Sequence, residues 1–301
     1  MTDLSKGAAW MNGEIIPISE AKIGVTDWGY THSDSTYDVA QVFDGGFFRL
    51  EDHLDRFDAS LAKMRFSVPQ SRDDIRAILH QITAASGLRD AYCAFVVARG
   101  PQLVPGSRDP RTCVNHFFAW VVPYVNVIHA DAVARGAKMR IAESAERISP
   151  RSVDPTAKNY HWGDMTTGLF EALEQGYDTV GLADADGNMC EGPGFNIFAV
   201  IDGTVVTPRA GVLEGITRKS VLEIADALGL PKQVRDMPVA EFLEADEVFV
   251  STSGGGPTPI IQVNDRIYGN GAPGPITERI RQTYVDWRAD GPLRTPINYD
   301  V

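Results

Sequence analysis

The chain has 301 residues, of which 44% are hydrophobic and 23% charged, and its 28 basic against 40 acidic side chains give a net charge of −12. These proportions suit a globular chain long enough for two domains. The acidic balance excludes a general nucleic-acid binder, which needs a basic footprint, and argues against docking on anionic membranes. No run reaches the roughly 18 apolar residues of a membrane span. The first residues show no basic start followed by an apolar core, so a cytoplasmic protein is expected. Cys93, Cys113 and Cys190 are too dispersed for a disulfide framework or a zinc site, and the six histidines never pair at metal-ligand spacing, so no metal is expected.

In chain order, Asn12-Gly13 marks a hairpin within residues 9–18, and residues 46–49 read as a short strand. Residues 50–66 read as a helix, with Leu54, Phe57, Leu61 and Met64 on one face. Residues 71–85 repeat that signal behind Ser71, a cap candidate followed by Asp73 and Asp74. Two apolar runs, 92–98 and 115–122, suit buried strands, and the Gly-, Pro- and Arg-rich stretch 99–111 between them suits a loop. A boundary is expected near 124–131. Beyond it come strands at 137–142, 179–183, 195–201 and 247–251. Helices are expected at 161–175, 215–228 and 275–287, the last with proline in its first turn. Residues 147–155 read as irregular, Gly254-Gly-Gly as a flexible segment, and the last dozen residues as a loose tail. The mixture predicts an α+β or mixed α/β fold: a smaller domain at 1–125, a linker at 126–131 and a larger domain at 132–301.

Several motifs fail on inspection. Asp184–Glu191 lacks calcium-loop spacing and reads as an Asp-Gly turn. No Gly-x-Ser-x-Gly elbow, Gly-x-Gly-x-x-Gly loop or Walker loop is present. Gly215-Ile216-Thr217 opens a helix whose backbone N–H groups could take a phosphate, or it is an ordinary capped start. Thr252-Ser253-Gly254-Gly255 could add donors or be a turn. Lys158 stands among Asn159, Tyr160, His161 and Trp162; a lysine in such company can lose its proton and attack a carbonyl. Glu191 lies among glycines that would admit a flat ligand, or it is a rim carboxylate. Arg56 is a ligand candidate or an ion-paired arginine.

Together these pieces resemble the pyridoxal-phosphate aminotransferases of fold type IV (class IV), over nearly the whole chain. The landmarks stand in the family's order: Phe48-Arg-Leu-Glu-Asp-His-Leu-Asp-Arg56, Ala98-Arg-Gly100, Lys158-Asn159, Glu191-Gly-Pro-Gly-Phe-Asn196, Gly211-Val-Leu-Glu-Gly-Ile-Thr-Arg218 and Ser251-Thr-Ser-Gly-Gly255. The resemblance implies that Lys158 links the cofactor and shuttles the substrate's α-proton, and that Glu191 keeps the pyridine nitrogen protonated. It implies that Arg56, the N–H groups of Ile216 and Thr217, and Thr252 hold the phosphate, with Ser253 a further candidate. Gly29-Tyr-Thr-His-Ser-Asp-Ser-Thr-Tyr-Asp-Val39, Asp154-Pro-Thr-Ala-Lys-Asn-Tyr-His-Trp-Gly-Asp164 and Gly215-Ile-Thr-Arg-Lys-Ser220 are similar to the (R)-selective amine:pyruvate transaminases. That likeness implies a pocket of His32, Tyr37, Val39, Tyr92, Ala94 and Trp162, suited to an aryl-alkyl amine. It implies ping-pong transfer through pyridoxamine phosphate to pyruvate or a similar keto acid, in a homodimer. Pro105 stands where some of these enzymes carry an acceptor-binding arginine. A branched-chain or D-amino acid transaminase is the alternative, with an aminodeoxychorismate lyase behind it; the Arg-x-His of the D-amino acid enzymes is missing after Arg99-Gly100.

Overall fold

Asn12 and Gly13 both take positive φ, 53° and 90°, as a two-residue primed hairpin turn requires. In this computed structural model, which describes residues 3–300, β1 (Ala8–Met11) folds back there onto β2 (Glu14–Pro17). A one-turn helix, α1 (Trp28–Thr31), follows, capped by the Asp27 side chain. Next come β3 (Ser35–Phe43), β4 (Gly46–Phe48), α2 (Leu50–Met64), α3 (Arg72–Ser86), β5 (Ala91–Ala98) and β6 (His116–Pro123). Ser71 and Asp74 form the reciprocal capping box that starts α3.

The rest of the chain runs α4 (Ala130–Arg135), β7 (Ala137–Ile141), α5 (Gly163–Glu174), β8 (Thr179–Gly181), β9 (Glu191–Gly192), β10 (Phe195–Ile201) and β11 (Thr204–Pro208). It continues through α6 (Ile216–Ala227), β12 (Lys232–Arg235), α7 (Val239–Leu243), β13 (Glu247–Thr252), β14 (Gly256–Val263), β15 (Arg266–Ile267), α8 (Pro275–Ala289) and β16 (Arg294–Pro296). The α+β, two-unit architecture is the one expected of fold type IV.

The chain divides into two units, but not at one point. The first holds Met1–Val125, Ala157–Tyr160 and Arg288–Val301; the second holds Asn126–Thr156 and His161–Trp287. Residues 126–131 are therefore part of the second unit and no linker: Ile128 is buried in its core, and the Val127 N–H donates to the Gly254 carbonyl. Lys158, expected in the larger domain, belongs to the first unit. The final residues are not a loose tail either. β16 pairs with β4, Ile297 is buried, and the Tyr299 hydroxyl donates to the Leu88 carbonyl. A three-residue strand beside prolines carries no readable periodicity.

The first unit is a seven-stranded antiparallel sheet in the order β16-β4-β3-β5-β6-β1-β2. Alternation sorts its side chains. Ala40, Val42, Cys93, Phe95, Val97, Phe117, Ala119 and Val121 meet Leu54, Phe57, Ile75, Leu79 and Ile82 from α2 and α3. Tyr37, Val39, Ala94, Val96, Ala98 and Phe118 gather on the opposite face. The second unit is a nine-stranded mixed sheet whose main path is β12-β11-β10-β13-β14-β7-β8. Gly254-Gly-Gly, expected as a flexible segment, runs from the turn between β13 and β14 into the first residue of β14, with Gly255 and Gly256 both at positive φ. Phe198 and Phe249, register partners on β10 and β13, stack in parallel at 4.8 Å.

Candidate active site

In the first unit, Lys158 is fixed by its backbone. Its carbonyl accepts from the Thr36 hydroxyl at 2.7 Å and the Tyr37 N–H at 3.2 Å, while its own N–H donates to the Ser60 hydroxyl of α2 at 3.3 Å. Asn159 makes an isolated bridge with Thr36. The chain thus holds the lysine beside β3 although its sequence neighbours lie in the other unit. Lys158 Nζ stands 4.4 Å from the Tyr37 ring centroid, a cation–π contact. Tyr160 stacks on the same tyrosine at 4.1 Å with an interplanar angle of 3°. Burial pushes the Tyr92 and Tyr160 phenols up, and their neighbouring tyrosines add to it. Both are therefore hydroxyl donors at neutral pH.

Tyr37, Val39, Tyr92 and Ala94 share one face of the sheet; Val39 is directly opposite Ala94, and Tyr92 stacks against Trp120. The other side chains that β3 and β5 add to this face by alternation are Ser35, Gln41, Phe43, Val96 and Ala98, none of them charged. Arg288 reaches its far end, 3.9 Å over Phe43 and bonded to Gln41. His32 stands apart from these four. It ends α1, exposed, with its ring stacked on Trp28 and its Nδ1 2.8 Å from the Thr31 hydroxyl. Trp162 belongs to the second unit, where it precedes α5 and packs with Met165, Val180 and Leu182. In the loop that carries Pro105, Arg111 is paired with Asp109.

Arg56 comes from α2 and is largely covered where it meets the fully buried Asp38. Its Nε donates to Asp38 Oδ2 at 2.8 Å and its Nη2 to Oδ1 at 2.7 Å. His53 Nδ1 lies 2.7 Å from the same Oδ1. Burial pushes the His53 imidazole below its ordinary value. Asp38 pulls the other way, while Arg56 and Lys158 add to the depression. Two cations therefore crowd one imidazole, in a chain of net charge −12.

In the second unit, Glu191 is 5% exposed, which makes it a buried carboxylate and not a rim one. Its Oε1 accepts from Arg147 Nε at 3.2 Å and Nη2 at 2.9 Å, and its Oε2 accepts from the Leu213 N–H at 2.9 Å. Arg147 Nη1 reaches on to Asp164 at 2.6 Å. Burial alone would push Arg147 down, but the Glu191 and Asp164 carboxylates outweigh it and hold its pKa above the ordinary arginine value. Cys190 next door is inert, its thiol pushed up to about 12 by burial.

The N-terminus of α6 has no side-chain cap, and Gly215 precedes it. A Cβ at Gly215 would come 2.1 Å from Asn196 Oδ1. Only glycine admits that approach, and Asn196 Nδ2 in turn holds the Leu213 carbonyl. Thr217 and Thr252 are buried hydroxyl residues, and the buried Ser251 Oγ has no hydrogen-bond partner. Ser251 is the register partner of Asn196. An uncapped helix start beside an orphaned buried hydroxyl is a donor set waiting for an anion. These residues of the second unit fit the phosphate group of a cofactor. Asp38, His53, Arg147, Asp164, Tyr160 and Ser251 were not singled out by sequence reasoning. Among the described residues no group of acidic, histidine or cysteine side chains could hold a metal, and no helix is long and apolar enough to cross a membrane.

The model of the class IV amino-transferases matches residues 35–263. The chain belongs to the class IV aminotransferases. These are pyridoxal-phosphate enzymes, and the match spans Arg56, Lys158, Glu191, Thr217 and Thr252. A branched-chain-amino-acid aminotransferase of Salmonella typhimurium is 28% identical over 94% of this chain and 94% of its own length. The fold is that of the Escherichia coli branched-chain amino acid aminotransferase, with a TM-score of 0.89, 25% identity and coverage of 97% of this chain and 99% of that one. A second branched-chain amino acid aminotransferase, solved with pyridoxamine 5′-phosphate, gives a TM-score of 0.90 at 26% identity, over 98% of this chain and all of that one.

Proposed function

We propose that this class IV aminotransferase takes its amino group from a branched-chain amino acid and passes it to a 2-oxo acid. The observation that carries the reading is full-length similarity to enzymes named for that activity, from both sequence and fold. The aromatic and aliphatic wall of Tyr37, Val39, Ala94, Val96 and Phe118 agrees with it, since a branched side chain gains by burying its apolar area there. Bound pyridoxal phosphate would supply an electrophilic carbon and a ring that stabilises negative charge at the substrate's α-carbon. The protein's part is then positional. Lys158 Nζ would be the base that takes the proton from the substrate's α-carbon. Glu191 would hold a proton on the pyridine nitrogen and is itself ion-paired with Arg147. Arg56, the α6 N-terminus, Thr217 and Thr252 bind the phosphate, and the Ser251 hydroxyl adds a donor.

A second reading is an (R)-selective amine:pyruvate transaminase. What favours it is Ala94, a small apolar residue at the centre of a wall to which β3 and β5 contribute no charge. Such a surface accepts an aryl group without leaving a carboxylate unpaired. The test follows the cofactor's visible absorbance in purified enzyme mixed separately with L-leucine, L-valine, D-alanine and the two enantiomers of 1-phenylethylamine. Bleaching by L-leucine and L-valine, with their 2-oxo acids recovered, is the expected outcome. Bleaching by the (R)-amine alone moves the assignment to the second reading, and bleaching by none overturns both. Borohydride treatment should leave the cofactor's mass on the peptide containing Lys158, and Lys158→Ala should abolish turnover.

A further inference from the structure

We propose that Asp38 is a positioning residue that fixes the plane of the Arg56 guanidinium, with His53 as its brace. This rests on the reading that Arg56 binds the cofactor's phosphate, and says what aims Arg56. On β3, Tyr37 and Val39 face away from the helices, so Asp38 between them points toward α2. Its carboxylate is completely buried. Each oxygen takes one Arg56 nitrogen, so the guanidinium is gripped along a whole edge and its plane is set. The carboxylate cannot swivel, because Oδ1 also accepts from the Val39 N–H at 2.7 Å and sits 2.7 Å from His53 Nδ1.

Asp38 could act in two opposed ways. Its negative charge offsets Arg56 and weakens the pull on a phosphate. Its grip removes the rotational freedom that a long arginine would otherwise lose on binding. Asp38 grips Arg56 through both oxygens and is itself pinned by the Val39 N–H and His53, so orientation is the larger contribution.

The experiment uses full-length enzyme, stripped by dialysis against inorganic phosphate and reloaded with pyridoxal phosphate or with pyridoxal, which lacks the phosphate. Asp38→Asn should weaken pyridoxal phosphate by about 10- to 100-fold, as loss of an orienting partner typically does, while pyridoxal stays within about 3-fold. The double variant Asp38→Asn/Arg56→Ala should bind no worse than Arg56→Ala, because both changes remove one interaction. Equal weakening of both ligands means that Asp38 only supports the fold and overturns the proposal. Tighter pyridoxal phosphate binding overturns it too, since charge would then outweigh aim. If Asp38→Asn does not fold, His53→Leu removes the brace alone; a smaller loss confined to pyridoxal phosphate is expected, and a loss shared by pyridoxal refutes the idea. An Arg56→Ala variant with an unchanged preference for pyridoxal phosphate brings down the underlying reading as well.

Discussion

His53 carries its cost of burial in a form that pH exposes. Burial lowers its pKa from 6.5 in the folded protein, so the native state binds fewer protons than the unfolded chain over that interval. Its contribution to stability is complete above about pH 6.5 and drains away as pH falls toward the depressed folded value, by at most about 1.4 kcal/mol per pH unit. Melting temperatures between pH 7.5 and 5.5 should therefore fall, and should fall less in His53→Gln. A remainder is expected from His80, whose pKa is lowered by burial and by Arg76. At this scale, Lys158, Glu191 and Arg56 could be singled out as candidates because each sits in a recognisable motif. Asp38 and Arg147 were not. Each acts through a partner 15 or more positions away (Asp38 through His53 and Arg56, Arg147 through Asp164 and Glu191), and one sequence does not reveal such pairings.

Elements with one apolar face could be read, and so could buried strands with an unbroken apolar run such as β5 and β10; a buried strand that mixes polar and apolar residues could not. α2 and α3 were found within a residue or two because their apolar residues recur at helical spacing above a solvated face. β3 was missed although it is a central strand. Ser35, Thr36, Asp38 and Gln41 are buried along with its apolar residues, so no alternation survives in the sequence. Thr36 is satisfied by the lysine segment, Asp38 by α2 and Gln41 by Arg288. The start of α6 is an element-scale device of another kind, set by the fit of Gly215 against Asn196. Gly215→Ala must push Asn196 away and should cost about 1–3 kcal/mol in chemical denaturation, the range for overpacking, along with weaker cofactor retention. Gly163→Ala, where an added Cβ meets nothing within 4 Å, is the control and should be neutral or slightly stabilising. An equal effect at both positions would remove the argument for Gly215.

For the molecule as a whole, the α+β class followed from the succession of strands and helices. The discontinuous division was hidden because contact across the chain leaves no mark in composition. Its consequence for the first unit is testable by truncation. A fragment ending at Val125 lacks both the Ala157–Tyr160 segment and β16, and with β16 goes Ile297 from the core. It should give no cooperative melt by circular dichroism, whereas a sharp transition would show those pieces to be dispensable. The same topology puts a clock on synthesis. The bulk of the first unit leaves the ribosome early, but the strand that closes its β4 edge emerges roughly 170 residues later. At roughly 5–20 residues per second that is a delay of about 10–30 s. For that interval a nascent chain displays an unpaired edge beside Phe47 and Phe48, a bare template for pairing with another copy. The emergence of β16 thus ends an interval of aggregation risk that begins when the first sheet is nearly complete.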